Sequence, residues 1–319
     1  MNTSPNLKLR DIRSAQEKIQ PYIRTTPVEY SHALSERTNS AVYLKLENWQ
    51  KTGSFKLRGA LNKLLSLSPE EKHKGVITAS AGNHGLGVAL AAKLLGVQGK
   101  IVVPVNASLA KLKALQQYHL EVIQKGEDYD EAEQFAWELQ QREALTFIHA
   151  FSDLEIIAGQ GTIGLEILAE LPDVKTVVVP IGGGGLISGI AVAVKSMNPK
   201  VKIIGVQSEA SPAMYHAIHV GKVVETPIEA TIADGLAGRF VTELTLSLTQ
   251  EYVDDIVLVS EPTIEEALLL ILESEHMLVE GSAAVGVAAL LENKITSGDK
   301  TIIVLTGSNV DIDLLKSLL

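Results

Sequence analysis

The sequence predicts an α/β protein of two lobes, each a mostly parallel sheet flanked by helices. Three observations carry that expectation. Short β-branched runs recur with Leu- and Ala-rich segments between them, the alternation that builds parallel sheets through right-handed crossovers. The runs are apolar throughout rather than at every second residue, the mark of strands covered on both faces. The chain has 319 residues, and single cores stop growing at roughly 250–300 residues.

The expected strands, in order, are 76–78 (VIT), 100–105 (KIVVPV), 120–124 (LEVIQ), 146–151 (TFIHAF), 176–181 (TVVVPI), 202–207 (KIIGVQ), 255–260 (DIVLVS) and 301–307 (TIIVLTG). Helical patterns occupy Leu86–Leu95, Leu109–Tyr118, Asp130–Gln141, Ile157–Leu171, Leu186–Met197, Ile264–Glu275 and Ala283–Leu291. A lobe boundary falls near residue 150, where Ser152 and Asp153 follow a strand and precede a long helix. No flexible linker interrupts the pattern, so the lobes should pack directly and leave a ligand cleft between them.

Composition narrows the function. Hydrophobic residues make up 46% and charged residues 21%, with 25 Gly and 11 Pro, which excludes disorder and collagen-like structure. A net charge of -10 argues against nucleic acid and membrane surfaces as partners. With no cysteine, disulfides, cysteine-based zinc or iron–sulfur sites and a thiol nucleophile are excluded. The N-terminus is polar, and no apolar run approaches the roughly 20 residues of a membrane span, so a soluble cytoplasmic protein is expected.

Four motifs carry chemistry. Gly182, Gly183, Gly184 and Gly185 lie between a strand and a helix beginning near Leu186. Without side chains there, successive amides can converge on one anion at the positive end of the helix, as in a phosphate cup; a tight turn with no ligand is the alternative. Thr78–Gly85 (TASAGNHG) is a second strand-to-helix junction, where small residues expose main-chain amides, Ser80 offers a hydroxyl and Asn83 an amide. His84 reads as a polar packing residue in the first helical turn, not as a base. In KTGSFKLRGA (51–60), Phe55 and Leu57 bracket Lys56 on a segment that continues as a helix. Apolar surroundings would lower its pKa and free the amine as nucleophile or base, whereas an isolated lysine is usually a solvated surface charge. Finally, TIIVLTGSN (301–309) ends a strand with Thr306, where its hydroxyl faces the crevice used by α/β ligands, or simply terminates the strand.

Together these residues resemble the fold-type II pyridoxal-phosphate enzymes, and within them the threonine/serine dehydratases (ammonia-lyases) and serine racemases. The resemblance rests on GSFKLRGA (53–60), TASAGNHG (78–85), PIGGGGLISG (180–189), ADGLAG (233–238) and LTGSNVD (305–311), in that order. It implies a cofactor, pyridoxal 5'-phosphate, in the cleft and carried by Lys56. Gly182–Gly185 and the amide of Leu186 would hold its phosphate, Asn83 its phenolic oxygen and Thr306 its ring nitrogen, with Phe55 beside the ring. Ser80, Ala81, Gly82, Asn83 and His84 would bind the substrate carboxylate. By the same resemblance, residues 1–65 and 150–319 form the large lobe, residues 66–149 the small mobile lobe, and a C-terminal regulatory domain is absent.

The implied reaction removes water from threonine or serine, giving 2-oxobutyrate or pyruvate and ammonia; a homodimer is implied as well. The chain departs from the racemases at Ala81, where they carry a serine able to donate a proton, so racemisation is not expected as the main activity. Racemases and some dehydratases also hold a divalent cation on two carboxylates, at positions that here look like Gln207 and Ala213. Glu209 could substitute for one, but reads as a surface residue, and no bound metal is expected. Arg239 reads as a solvated arginine, with a distal substrate carboxylate as the second possibility. The alternatives are a dehydratase for 3-hydroxyaspartate or phenylserine, a serine racemase, a β-replacement synthase, or a non-catalytic protein that binds a phosphate ligand.

Overall fold

A computed structural model describes residues 7–295 and 300–318. The first six residues of the polar N-terminal stretch lie outside the described residues. Ten strands are present among those described: β1 Val28–Tyr30, β2 Val42–Leu46, β3 Val76–Ala79, β4 Gly99–Val103, β5 Glu121–Gln124, β6 Thr146–Phe147, β7 Thr176–Pro180, β8 Lys202–Ser208, β9 Asp255–Val259 and β10 Thr301–Leu305. They form a six-stranded sheet, β1-β2-β10-β7-β8-β9, and a four-stranded sheet, β5-β4-β3-β6. Every pairing is parallel except β1 with β2.

Continuous apolar strands are buried on both faces, as their composition predicts. Along β10, Ile303 and Leu305 join one core cluster while Ile302 and Val304 join the cluster on the opposite face. In the smaller sheet, Ile101 and Val103 face one cluster and Val102 the other. The expected helices appear with shifted ends, set by caps: Asp153 accepts hydrogen bonds from the amides of Glu155 and Ile156 and starts the helix Leu154–Glu170. No helix among the described residues is long and apolar enough to cross a membrane.

Two expectations need correction. The run TFIHAF pairs only over Thr146–Phe147, because His149 Nδ1 accepts from the amides of Phe151 (3.1 Å) and Ser152 (2.9 Å) and turns the chain away from the sheet. The strand β2, with its sequence VYLKL, goes unread because a lysine interrupts it. In the fold Lys45 is fully buried.

That lysine belongs to a buried charge network. Arg58 donates to Glu47 (2.8 and 2.9 Å) and to Glu166 (2.6 and 2.8 Å), and Lys45 donates to Glu166 at 2.7 Å and to the Thr26 carbonyl at 2.5 Å. The two cations and two carboxylates balance in charge. Burial alone would push Glu47 upward, but Arg58 and Lys45 hold its carboxyl below the ordinary 4.5. Its contribution to stability is therefore complete above the ordinary carboxylate range and is lost as pH falls through the depressed value.

Arg58 is the third residue of the helix Lys56–Ser66, so the network fixes that helix against β2 and the helix Leu154–Glu170. The contact is close: a Cβ on Gly159 would lie 2.6 Å from the Gly59 Cα. The apolar face of the same helix, Leu57, Ala60, Leu61 and Leu64, packs into the core beneath the four-stranded sheet.

Replacing Arg58 by Met leaves two carboxylates buried beside Lys45 alone and should lower the unfolding free energy by about 3–5 kcal/mol, measured by urea unfolding of the cofactor-free protein. Replacing all four charged residues with apolar ones should cost far less than that single change.

Candidate active site

Lys56 opens its helix at the end of a segment stitched to β10. The Phe55 amide donates to the Thr306 carbonyl at 3.2 Å, and Ser54 forms an isolated antiparallel bridge with Gly307. The half-buried Lys56 ammonium donates to the Ala150 carbonyl at 3.1 Å and lies 5.2 Å from the centre of the Phe55 ring. Burial lowers its pKa to about 8, against an opposing pull from the Glu280 carboxylate.

The tetraglycine segment turns between β7 and the helix Gly185–Met197, with Gly184 at φ +92° as its N-cap. An added Cβ would clash at Gly183, Gly184 and Gly185 and would be tight at Gly182. A Cβ would fall 2.5 Å from the Phe151 ring at Gly183, 2.5 Å from Met214 Cε at Gly184, 2.7 Å from the Phe151 carbonyl at Gly185 and 3.2 Å from the Leu236 Cα at Gly182. The first-turn amides of Gly185, Leu186 and Ile187 have no intrahelical acceptor, which makes this helix end a place for an anion.

Beyond β10, Thr306 is 2% exposed, and its hydroxyl has no hydrogen-bond partner among the described residues. An unpaired buried hydroxyl carries a desolvation cost, which a ligand acceptor or donor would remove. The structure thus gathers Lys56, Phe55, the glycine bend and Thr306 from three separate stretches of chain.

At the second junction, Ser80 Oγ accepts from the Gly82 amide at 3.2 Å, and the helix Asn83–Leu95 begins immediately after. A Cβ on Gly82 would meet nothing within 4 Å, so this face of the loop, with Ala81 half-buried beside it, is open. The Asn83 amide is fixed on both sides: it donates to Glu280 at 2.7 Å and accepts from Asn309 at 2.6 Å. His84 is buried, with Nε2 at 3.0 Å from the Ile148 carbonyl; since that carbonyl can only accept, Nε2 carries the proton. Burial and the Lys56 charge lower His84 to about 3 and His149 to about 4, so both rings are neutral at physiological pH. The His84 side chain is thus tied to the chain just beyond β6, next to the four-stranded sheet.

Glu280 is the residue that sequence reasoning missed. It caps the helix Gly281–Leu291, is 6% exposed, and burial raises its pKa to about 7 even though Asn83 pulls it down. The available signal was a lone carboxylate directly before the apolar segment GSAAVGVAALL. A cavity of about 290 Å³ opens beside it, lined by Lys111, Asp234, Gly281 and Asn309 among others.

The segment 233–238 lies against the glycine bend through Leu236, while Asp234 pairs with Lys111 at 3.2 Å across the cleft. Arg239 is exposed, as expected of a solvated arginine, and forms a surface ion pair with Asp130. Glu209 turns outward to Lys294 at 3.5 Å, whereas Gln207 and Ala213 are buried behind the bend.

An amine with a lowered pKa, an anion-binding bend and an unpartnered buried hydroxyl fit a small aromatic aldehyde bearing a phosphate. The comparisons agree. Residues 19–307 match the family model described as pyridoxal-phosphate dependent enzyme. The L-threonine ammonia-lyase of Thermotoga maritima is 47% identical over 309 residues, covering 97% of this chain and 77% of that protein. Among solved structures, maize serine racemase superposes with a TM-score of 0.93 at 35% identity, covering 97% of this chain and 96% of that one. The processed form of threonine deaminase isoform 2 from Solanum lycopersicum superposes at 0.92 with 38% identity, covering 97% and 86%. The chain belongs to the pyridoxal-phosphate dependent enzymes, in the branch that contains threonine ammonia-lyases and serine racemases.

Proposed function

We propose that this enzyme is a threonine/serine ammonia-lyase that converts threonine to 2-oxobutyrate, or serine to pyruvate, with release of ammonia. One observation carries the choice over racemisation: the site offers the Lys56 amine as base, while the open loop has a methyl group at Ala81 and the nearby histidines are neutral. A racemase needs a second acid to return a proton to the other face of Cα. The Thermotoga relative, named for the threonine reaction, supports the same choice.

Bound pyridoxal phosphate supplies an electron sink that acidifies the Cα–H of an amino acid joined to it. The chain's own residues are read in the following roles. The glycine bend and the Leu186 amide would hold the phosphate, Asn83 would meet the phenolic oxygen, and Phe55 would pack beside the ring. Thr306 would meet the ring nitrogen with a hydroxyl, which could not keep that nitrogen protonated as a carboxylate would. The amides of Ser80–His84 bind the substrate carboxylate. Lys56 Nζ, free as a neutral amine, takes the Cα proton. The β-hydroxyl then leaves as water, taking up a proton equivalent to the one Lys56 removed, which returns Lys56 to the neutral amine; the unsaturated amine that is released adds water and expels ammonia, which balances the reaction.

Residues 66–149 are read as the smaller lobe, closing over the substrate against residues 1–65 and 150–319. The ion pairs Lys111–Asp234 and Arg239–Asp130, which bridge those segments, support closure. Identical crystal structures with and without a carboxylate inhibitor would remove this part of the reading. A cytoplasmic homodimer completes it, with a sedimentation mass of two chains expected.

Lys56→Ala should abolish 2-oxo acid formation and the absorbance at roughly 410–420 nm of the lysine-bound cofactor. Borohydride reduction followed by peptide mapping should place the cofactor adduct on Lys56 in the unaltered enzyme. Because its pKa is lowered to about 8, the neutral fraction of Lys56 rises with pH. Capture of pyridoxal phosphate by the cofactor-free enzyme, followed by stopped-flow absorbance, should accelerate about tenfold per unit at lower pH and level off above that value.

Thr306→Val should leave the cofactor-free protein as stable or slightly more stable, since no protein hydrogen bond is lost, while weakening cofactor binding about tenfold. Thermal unfolding and a fluorescence titration separate the two effects.

A further inference from the structure

Gln207 is a fully buried amide on β8, and no part of the reaction uses it. Its nitrogen donates to the carbonyls of Ile181 and Ser211, each at 3.3 Å, and its oxygen accepts from the Tyr215 amide at 2.8 Å. The orientation is unambiguous: both carbonyls can only accept, and the Tyr215 N–H can only donate.

The groups it joins are the walls of the glycine bend. Ile181 is the residue directly before Gly182. Ser211 in turn receives the Gly238 amide at 3.1 Å and donates to the Leu236 carbonyl at 3.4 Å, and the Leu236 Cα backs Gly182. Tyr215 follows Met214, whose methyl backs Gly184. One side chain therefore ties together the start of the bend and two of the surfaces that shape it.

Two carbonyl oxygens aimed at one buried point repel each other unless a positive group lies between them. A cation would serve, but the residues here do not fit one. Gln207 is uncharged, Ala213 offers a methyl, Glu209 faces Lys294, and no group of three or more His, Asp or Glu side chains among the described residues could hold a metal ion. The two amide protons of Gln207 fill that place.

We propose that Gln207 is a positioning residue that clasps the phosphate-binding bend in place of a cation, so that cofactor binding by this chain is independent of divalent metal. The inference rests on the assignment of the bend to the cofactor phosphate. It is tested on the full chain by fluorescence titration with pyridoxal phosphate, with chelator and with Mg²⁺ or Mn²⁺, alongside thermal unfolding of the cofactor-free protein.

The unaltered protein should bind equally well, within about twofold, in chelator and in either metal. Gln207→Met, of similar volume, should weaken binding at least about tenfold in all three conditions, through loss of the clasp. Gln207→Glu should be weak in chelator, because its carboxylate faces the two carbonyls, and should recover when Mn²⁺ is added.

Loss of binding by the unaltered protein on chelation, restored by metal, would overturn the proposal. So would unimpaired binding by Gln207→Met, or a Gln207→Glu protein indifferent to metal. Should Gln207→Met not fold, the metal response of the near-isosteric Gln207→Glu decides alone. If the unaltered protein takes up no pyridoxal phosphate under any condition, it is the cofactor assignment that fails, before any variant is compared.

Discussion

The placement of one helix governs this site. Lys56 is its first residue, and a displacement of its axis would move the amine relative to every group it must meet. Main-chain bonds from Ser54 and Phe55 to the end of β10 hold the start of the helix. Two residues further on, Arg58 is locked between Glu47 and Glu166, all three buried. Such a network adds little net stability, since the desolvation of four charges offsets most of their attraction. Its value lies in direction: five guanidinium N–H groups admit few orientations, and rotating the helix would leave charges buried without partners.

The second half of the site has a different origin. The glycine bend owes its shape to what presses on it from behind, namely Phe151, Met214 and Leu236. Small residues thus do two things at once: they let bulky neighbours approach the backbone, and they leave the first amides of the following helix available to an anion. Phe151 also links the bend to the Lys56 amine, because it directly follows Ala150, whose carbonyl accepts from Lys56.

Burial sets the protonation states around these groups. It eases loss of the proton from Lys56 and keeps both histidines uncharged, so Lys56 is the group among these three that carries positive charge near neutrality, beside the helix and amide dipoles of the bend. Glu280 is shifted the opposite way for the same reason, and through Asn83 it is coupled to Asn309 at the far end of β10.

The sequence by itself determined the alternation of buried strands and helices, the parallel character of both sheets and the motifs around Lys56, the glycine bend and Thr306. These are local signals: apolar runs, missing side chains and residue order act through neighbours a few positions away. Only the tertiary structure decided that Lys45 lies in a strand, that TFIHAF breaks off after two paired residues, that Arg239 meets Asp130 and that Glu280 faces Asn83. Three of these depend on a partner more than a hundred residues distant; the break in TFIHAF is local, made by the His149 ring turning back on the Phe151 and Ser152 amides, a side-chain contact that residue order does not display. A buried charge or amide looks the same in sequence as an exposed one, because its cost and its function both come from the groups that folding brings against it.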